Sequence, residues 1–391
     1  MAYIPYGLHS VDKKDLRSIL KINKSNVYTN GEYLIDFENQ TKKYLGSNYS
    51  IAVNSGTSAI HLAYKAINLK QGDNIIMPSV NFIASYSMAK LCGANIYLAD
   101  IDYKTGQMSP EKIKECIKKN KLKKIKAFVA MYLGGSPEYI NEFFKLKKKL
   151  NCYFIEDACH AFGSSYKIKN KTYMTGSCKH SDISTFSFHP VKTITTGEGG
   201  LITTNNFKFC KKIKEQRSHG IIRNSNKHWL YKIKETSFNY RISEINCLLG
   251  ISQLKKIKKF INKRILLSSK YKKELILKTN LVKSLELENS NLSAWHLFII
   301  LIDFKKLRIN KNDFIGSMLK HKIVLQQHYI PIYRLLNLKN KKQISFPNAD
   351  KYFKNALSLP LFNDLTFSKQ KYIITKIIKF INYAAIKKRT K

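Results

Sequence analysis

Short apolar, β-branched runs alternate with longer stretches of helical spacing across roughly the first 200 residues, and no other feature narrows the fold as far. Strands are expected at residues 50–53, 74–77, 95–98, 127–130, 153–156, 183–186 and 201–204. Between the first two, Ile60, Ala63 and Ile67 fall on one helical face. The strand runs are apolar along most of their length, as strands covered on both faces must be. The expected fold is therefore α/β, with a mostly parallel seven-stranded sheet between helices. From about residue 245 the chain turns helical and Lys-rich. A strand at 295–302, a helix at 312–320, a strand at 323–326 and two further helices then read as a smaller C-terminal α/β domain. The expected organisation is an N-terminal arm and first helix (1–25), a large domain (26–250), and a small domain with its connecting helix (251–391).

The chain carries 69 Lys and Arg against 26 Asp and Glu, a formal net charge of +43. That excess invites a nucleic-acid reading. Only 8 of the basic residues are Arg, however, and Arg is the residue whose planar fork grips phosphates and base edges bidentately. Lys is spread through most helical segments while Asn and Ile are abundant and Ala scarce, the composition an AT-rich coding sequence produces. Solvated helix faces account for the charge, and nucleic acid is not an expected partner. The longest strongly apolar run, 297–302, is far short of the roughly 18 residues a membrane span needs. Residues 1–10 show neither a basic nor an apolar leader segment, so a cytoplasmic location is expected. The seven cysteines are scattered, odd in number and without a CxxC pair, which argues for free thiols rather than disulfides and for no metal site.

Three segments carry chemistry. Residues 53–59, VNSGTSA, join a strand to a helix, and Gly56, Thr57 and Ser58 sit where the free N–H groups of a first helical turn bind an anion. Neither a P-loop nor a GxGxxG pattern is present. In YFIEDACHA, Asp157 falls at the C-terminal end of an apolar strand, where open α/β sheets place their ligands. Cys159 and His160 are neighbours in sequence and so point in different directions. In residues 183–206 of a chain rich in Lys there is one lysine, Lys192, and one acid, Glu198. Set among apolar, Thr and Gly residues, Lys192 is expected to be desolvated, which lowers its pKa and exposes a neutral amine. An anion cradle, a strand-end carboxylate and an amine able to form a Schiff base are together what pyridoxal 5′-phosphate requires.

The same residues resemble the DegT/DnrJ/EryC1/StrS family of sugar aminotransferases, which have the type I pyridoxal-phosphate-dependent aminotransferase fold. The likeness runs almost end to end, through NSGTSAIHLA, EDACHAFGSSY, SFHPVKTITTGEGG, RSHGI, FNYRISEINCLLGISQL, SAWHLF and QHYIPIY. FSFHPVK-x-ITTGEGG, RSHGI and HYIP are most similar to the branch serving pseudaminic acid synthesis. The resemblance implies a homodimer with shared active sites. In it Lys192 forms the Schiff base, Asp157 binds the pyridine nitrogen, His160 lies near the ring 3-hydroxyl and Phe82 stacks on the ring. It implies phosphate contacts from Thr57, Ser58 and Ser187, with Asn239 reaching the neighbouring subunit's phosphate. Sugar contacts are implied for Tyr6, for Asn26, Val27, Tyr28 and Thr29, and for Gln326, Gln327, His328 and Tyr329 of the partner chain. The substrates it implies are L-glutamate and a UDP-linked 4-keto-6-deoxy-2-acetamido sugar. Other nucleotide 4-keto sugars, of bacillosamine, perosamine or 4-amino-arabinose type, stay open. Sugar dehydratases of this family resemble the motif with His in place of lysine, so Lys192 argues against that chemistry.

Overall fold

The computed structural model describes residues 2–24, 27–223, 226–227, 229–288, 290–336 and 345–389. A seven-stranded sheet forms its centre, with strands β1 (Tyr49–Val53), β2 (Asn74–Pro78), β3 (Asn95–Ala99), β4 (Ala127–Met131), β5 (Tyr153–Asp157), β8 (Ile183–Ser187) and β9 (Gly200–Thr204). Two strands of a hairpin, β6 (Ser165–Ile168) and β7 (Lys171–Met174), lie outside it. Across the sheet the order is β1-β9-β8-β5-β4-β2-β3. β9 alone runs antiparallel to its neighbours, so β1, β8, β5, β4, β2 and β3 all point their C-terminal ends to one edge. The in-register row Met131, Asp157, Thr185 marks that edge. All seven expected strands are present, each within one residue of its expected ends.

Helices α1 (Lys13–Ile19), α2 (Glu32–Leu45), α3 (Gly56–Ala66), α4 (Ala84–Leu91), α5 (Pro110–Lys119), α6 (Ile140–Leu150), α7 (Phe207–Arg217) and α8 (Glu244–Leu254) cover the sheet. Polar caps set where they start: Ser55 accepts from the Ser58 N–H, Ser109 from Lys112, and Ser243 from Asn246. One face of the sheet buries Phe128, Phe143 and Phe154 in mutual contact, with Phe128 and Phe154 stacked at 4.9 Å. Burying each such ring contributes roughly 2–3 kcal/mol.

A second core lies around the three-stranded antiparallel sheet of β12 (Val282–Ser284), β13 (Phe298–Ile302) and β14 (Ala356–Leu359). A short hairpin, β10 (Ile221–Arg223) and β11 (Tyr231–Ile233), precedes it. Helix α9 (Ile257–Tyr271) joins the two cores: Ile257, Phe260 and Ile261 pack into the first, Leu267 and Tyr271 into the second. Helices α10 (Lys311–Lys320), α11 (Pro347–Asn355) and α12 (Phe367–Arg389) complete this part.

Two expectations need correction here. The strand expected at 295–302 begins only at Phe298, because Trp295 takes a left-handed backbone (φ 48°) and the N–H groups of Ala294 and Leu297 bond to Gly135 and Gly134. The strand expected at 323–326 is not one: Ile323 makes a single bridge to Ile4 and Gln326 a single bridge to Ser358, so no ladder forms. Ile4 belongs to the second core, which draws the N-terminal arm against the C-terminal part of the chain.

Candidate active site

The C-terminal edge of the sheet opens into a cleft of about 520 Å³ lined by residues at or just beyond the ends of β1, β2, β4, β5 and β8, with Tyr6 and residues 326–329 on the far wall. Asp157 sits at its base, 3% exposed. One carboxylate oxygen accepts a hydrogen bond from Ser85 Oγ of α4 at 2.9 Å, and the other faces the Cys159 N–H at 3.4 Å. Across from it the N-terminus of α3 enters the cleft. Ser55 Oγ takes the Ser58 N–H, leaving the Gly56 and Thr57 N–H groups without acceptors in the helix. A Cβ at position 56 would lie 2.8 Å from Ser187 Cβ, and one at position 200 would lie 2.2 Å from the Ser55 carbonyl oxygen. Glycine at both positions lets α3, β8 and β9 close on one another around this cradle.

Lys192 stands in the loop between β8 and β9. That loop is tied by Phe188 N–H to Gly199 O (2.8 Å), Lys192 N–H to His189 O (2.9 Å) and the Asn246 amide to Thr196 O. Burial lowers the Lys192 pKa, with Cys159 and Asp157 opposing part of the shift. Among the described residues no carboxylate lies within ion-pair distance of its amine.

Imidazoles form the wall facing Lys192. His160 and His296 have ring centroids 4.2 Å apart, and His328 stands 6.4 Å from His160. Burial holds all three well below the ordinary imidazole range, His328 down to about 3, so they are neutral. The Gly134 N–H points at His160 Nδ1 (3.4 Å), so the proton rests on Nε2, which is 2.9 Å from Tyr329 Oη. With that oxygen accepting from His160, the Tyr329 hydroxyl proton is free to be donated elsewhere.

Tyr6, Gly56, Thr57, Phe82, Asp157, His160, Ser187, Lys192, Gln326, Gln327, His328 and Tyr329 thus meet in one cleft, together with Cys159, His189 and Glu198. Residues 326–329, expected to serve a partner's site, line the cleft of their own chain together with Lys192, and Tyr329 bonds to His160. Ser58 does not line the cleft: its hydroxyl donates to Asn54 Oδ1 at 2.6 Å. Asn239 is turned to Asn54 and Arg241, and Val27, Tyr28 and Thr29 lie near the start of α8, with Glu244 N–H bonded to Tyr28 O. Asn26 lies outside the described residues. Sequence reasoning missed Ser85, Asn81 and His296. Asn81 and Ser85 lie one residue before and three residues after Phe82, and His296 lies within SAWHLF, so all three stood beside a residue or within a motif already singled out. A groove of about 680 Å³ at the opposite edge of the sheet, lined by Lys124, Lys126, Lys147 and Asp182, offers no comparable set of groups.

The cleft fits pyridoxal 5′-phosphate by its own chemistry. Asn81 is fully buried in the cleft wall and neither of its amide atoms has a partner among the described residues, so the wall is built to receive a polar ligand. The Gly56–Ser187 cradle, the buried Asp157 and the desolvated Lys192 match phosphate, ring nitrogen and carbonyl carbon. Fold and cleft together define a pyridoxal-phosphate-dependent aminotransferase. The profile of the DegT/DnrJ/EryC1/StrS aminotransferase family matches residues 9–378, and the chain belongs to that family.

Among its relatives, the UDP-4-amino-4,6-dideoxy-N-acetyl-β-L-altrosamine transaminase of Campylobacter jejuni (strain 81-176) is 34% identical over 371 residues, 95% of each chain. An uncharacterised protein of Methanocaldococcus jannaschii is 30% identical over 390 residues, 97% of this chain and 98% of the other. Among solved structures, the Helicobacter pylori PseC, an aminotransferase involved in the biosynthesis of pseudoaminic acid, superposes with a TM-score of 0.88 at 27% identity, covering 97% of this chain and all of the other. The Streptococcus pneumoniae protein Spr1654 in its PLP form shares the fold, with a TM-score of 0.88 at 24% identity, covering 98% and 99%.

Proposed function

We propose that this enzyme transfers an amino group from L-glutamate to C4 of a UDP-linked 4-keto-6-deoxy-2-acetamido sugar, giving UDP-4-amino-4,6-dideoxy-N-acetyl-β-L-altrosamine. The observation that carries the choice of sugar is the 34% identity, over 95% of both chains, to the transaminase of that name. When bound, pyridoxal phosphate supplies an electron sink for the carbanion formed at the amino-bearing carbon. Asp157, oriented by the Ser85 hydroxyl, would hold the protonated ring nitrogen. The Gly56 and Thr57 N–H groups and the Ser187 hydroxyl would take the phosphate, and Phe82 would cover one ring face.

Lys192, whose burial favours the neutral amine, would lift a proton from the donor carbon and deliver it to C4 of the sugar. His160 keeps the Tyr329 hydroxyl turned so that its proton is available to the reacting groups. Tyr6 and residues 326–329 would hold the nucleotide sugar.

The reading includes a homodimer. The β10–β11 hairpin exposes Tyr231 and Ile233, with Phe238 exposed beside it, an apolar surface suited to a second copy. Asn239, turned away from its own cleft, would then serve the neighbour's phosphate, and Val27, Tyr28 and Thr29 would lie near that junction.

The test is a paired amination assay with pyridoxal phosphate and glutamate, read by mass spectrometry. One sample receives the UDP-4-keto sugar of L-arabino configuration, the other its C5 epimer of D-xylo configuration. Preference for the first is expected. Preference for the second moves the enzyme to a bacillosamine-type substrate, and amination of neither removes this choice of sugar. Lys192→Ala is expected to abolish both turnover and the covalent attachment of cofactor that borohydride reduction fixes; steady transamination by that variant would refute the assignment of Lys192.

A further inference from the structure

Two adjacent amides on the cleft wall have their carbonyl oxygens already engaged. Gln326 Oε1 accepts from the Gln327 backbone N–H at 2.8 Å. Gln327 Oε1 accepts from the ammonium of Lys311, the first residue of α10. Because an ammonium only donates, this contact fixes which way the Gln327 amide faces, and its NH2 group must point the other way. Gln327 Nε2 is buried with no partner among the described residues. Both side chains line the cleft, so what this edge has left to offer is N–H donors.

The charge behind the edge is unbalanced. Lys311 is partly buried, and besides Gln327 it donates to the carbonyls of Phe353 (2.6 Å) and Ala356 (2.9 Å). All three acceptors are neutral, and no carboxylate among the described residues forms an ion pair with it. Buried charges are normally paired. Here burial alone acts on the amine, pushing its pKa down to about 8. An orphan donor and an uncompensated cation are relieved by the same thing, a ligand that only accepts hydrogen bonds and carries negative charge.

We infer that Gln326 and Gln327, backed by Lys311, form a subsite for an oxyanion carried by one of the substrates. The inference rests on reading this cleft as the place where amino donor and nucleotide sugar bind. Two sources share the required chemistry: the diphosphate of the nucleotide and a carboxylate of the amino donor. Lys311 acts through Gln327 and is a positioning residue.

The experiment uses the pyridoxal-phosphate-loaded enzyme, with calorimetric titration of UDP and of uridine and with KM for L-glutamate as a separate arm. Gln327→Glu replaces the donor with a carboxylate that can pair with Lys311, so the fold is preserved. Lys311→Met removes the charge and Lys311→Arg restores it. If the diphosphate is the ligand, Gln327→Glu and Lys311→Met weaken UDP about tenfold or more, leave uridine unchanged, and Lys311→Arg recovers most of the loss. If the donor carboxylate is the ligand, the KM for glutamate rises by a similar factor while UDP affinity holds. Unchanged UDP affinity and unchanged glutamate KM in both Gln327→Glu and Lys311→Met overturn the subsite. So does a Lys311→Met variant whose kcat, cofactor absorbance and melting temperature fall together while Gln327→Glu behaves as wild type. A wild-type enzyme that aminates keto sugars while both variants match it fails this inference alone. One that transaminates no sugar fails the functional reading instead.

Discussion

A methyl group added at position 56 would sit 2.8 Å from Ser187 Cβ, closer than real contacts allow. Gly56→Ala must therefore part α3 from β8 where the Gly56 and Thr57 N–H groups face the cleft. The expected result is at least a tenfold loss of pyridoxal-phosphate affinity in a fluorescence titration, with the circular-dichroism spectrum unchanged. Asp157→Asn keeps the shape but removes the charge, and kcat is expected to fall by about a hundredfold or more if Asp157 is, as proposed, the electrostatic partner of the ring nitrogen. At this scale Lys192 and Asp157 were legible, because a lone lysine in a Lys-poor stretch and an acid ending an apolar run are local signals. Ser85 was not. Its bond to Asp157 spans 72 residues and exists only because α4 passes over the end of β5.

Glu244, at the start of α8, is fully buried, and its carboxylate accepts the Gly31 (2.9 Å), Tyr33 (2.8 Å) and Leu34 (3.2 Å) N–H groups at the start of α2. One side chain therefore caps another helix and pins the adjoining segment. Glu244→Ala is expected to cost about 3 kcal/mol in a urea titration, because three backbone donors, one buried and two partly buried, lose their shared acceptor. A loss under about 1 kcal/mol would show that water replaces the carboxylate. The central strands were readable from their apolar runs, whereas small elements depended on partners the sequence does not announce. Residues 323–326 have strand composition, but among the described residues they form single bridges to Ile4 and Ser358 and no ladder. The β6–β7 hairpin did leave a trace: Lys169 and Asn170 both adopt left-handed backbones (φ 47° and 62°), the two-residue turn that Asn favours. The N-terminal arm, large domain and small domain remain a proposed division, and the packing of α9 into both cores marks the region where it falls.

For the whole molecule, four buried imidazoles lower stability as pH falls, opposed by Asp100, Glu138 and Glu156, whose carboxyl pKa values burial raises. Burial lowers His61 to about 4 and His328 to about 3, and holds His160 and His296 well below 6.5. Each binds its proton less readily folded than unfolded. The stability they contribute is therefore complete above the unfolded value of 6.5 and is lost as pH falls from there toward the folded values. Calorimetry is expected to show Tm dropping steeply between pH 6.5 and about pH 4.5, with His61→Asn flattening part of the slope. A Tm independent of pH over that range would contradict neutral burial. The net charge of +43 acts differently. Self-repulsion among solvated lysines is screened by salt, so Tm is expected to rise between about 0.01 M and 0.3 M NaCl.

The wall that carries Tyr6 has a consequence for the order of events during synthesis. The Tyr6 carbonyl accepts the Leu361 N–H at 3.0 Å, and Ile4 is held by the backbone of Lys322 and Val324. The parts of the cleft made earliest by the ribosome are thus fastened by parts made near the end. The sheet with Asp157 and Lys192 can assemble while the chain is still growing, since large proteins fold region by region as they emerge. The cleft itself is finished only after residue 361 has left the exit tunnel. A chain stalled before that point carries Lys192 in place but has no fixed position for Tyr6.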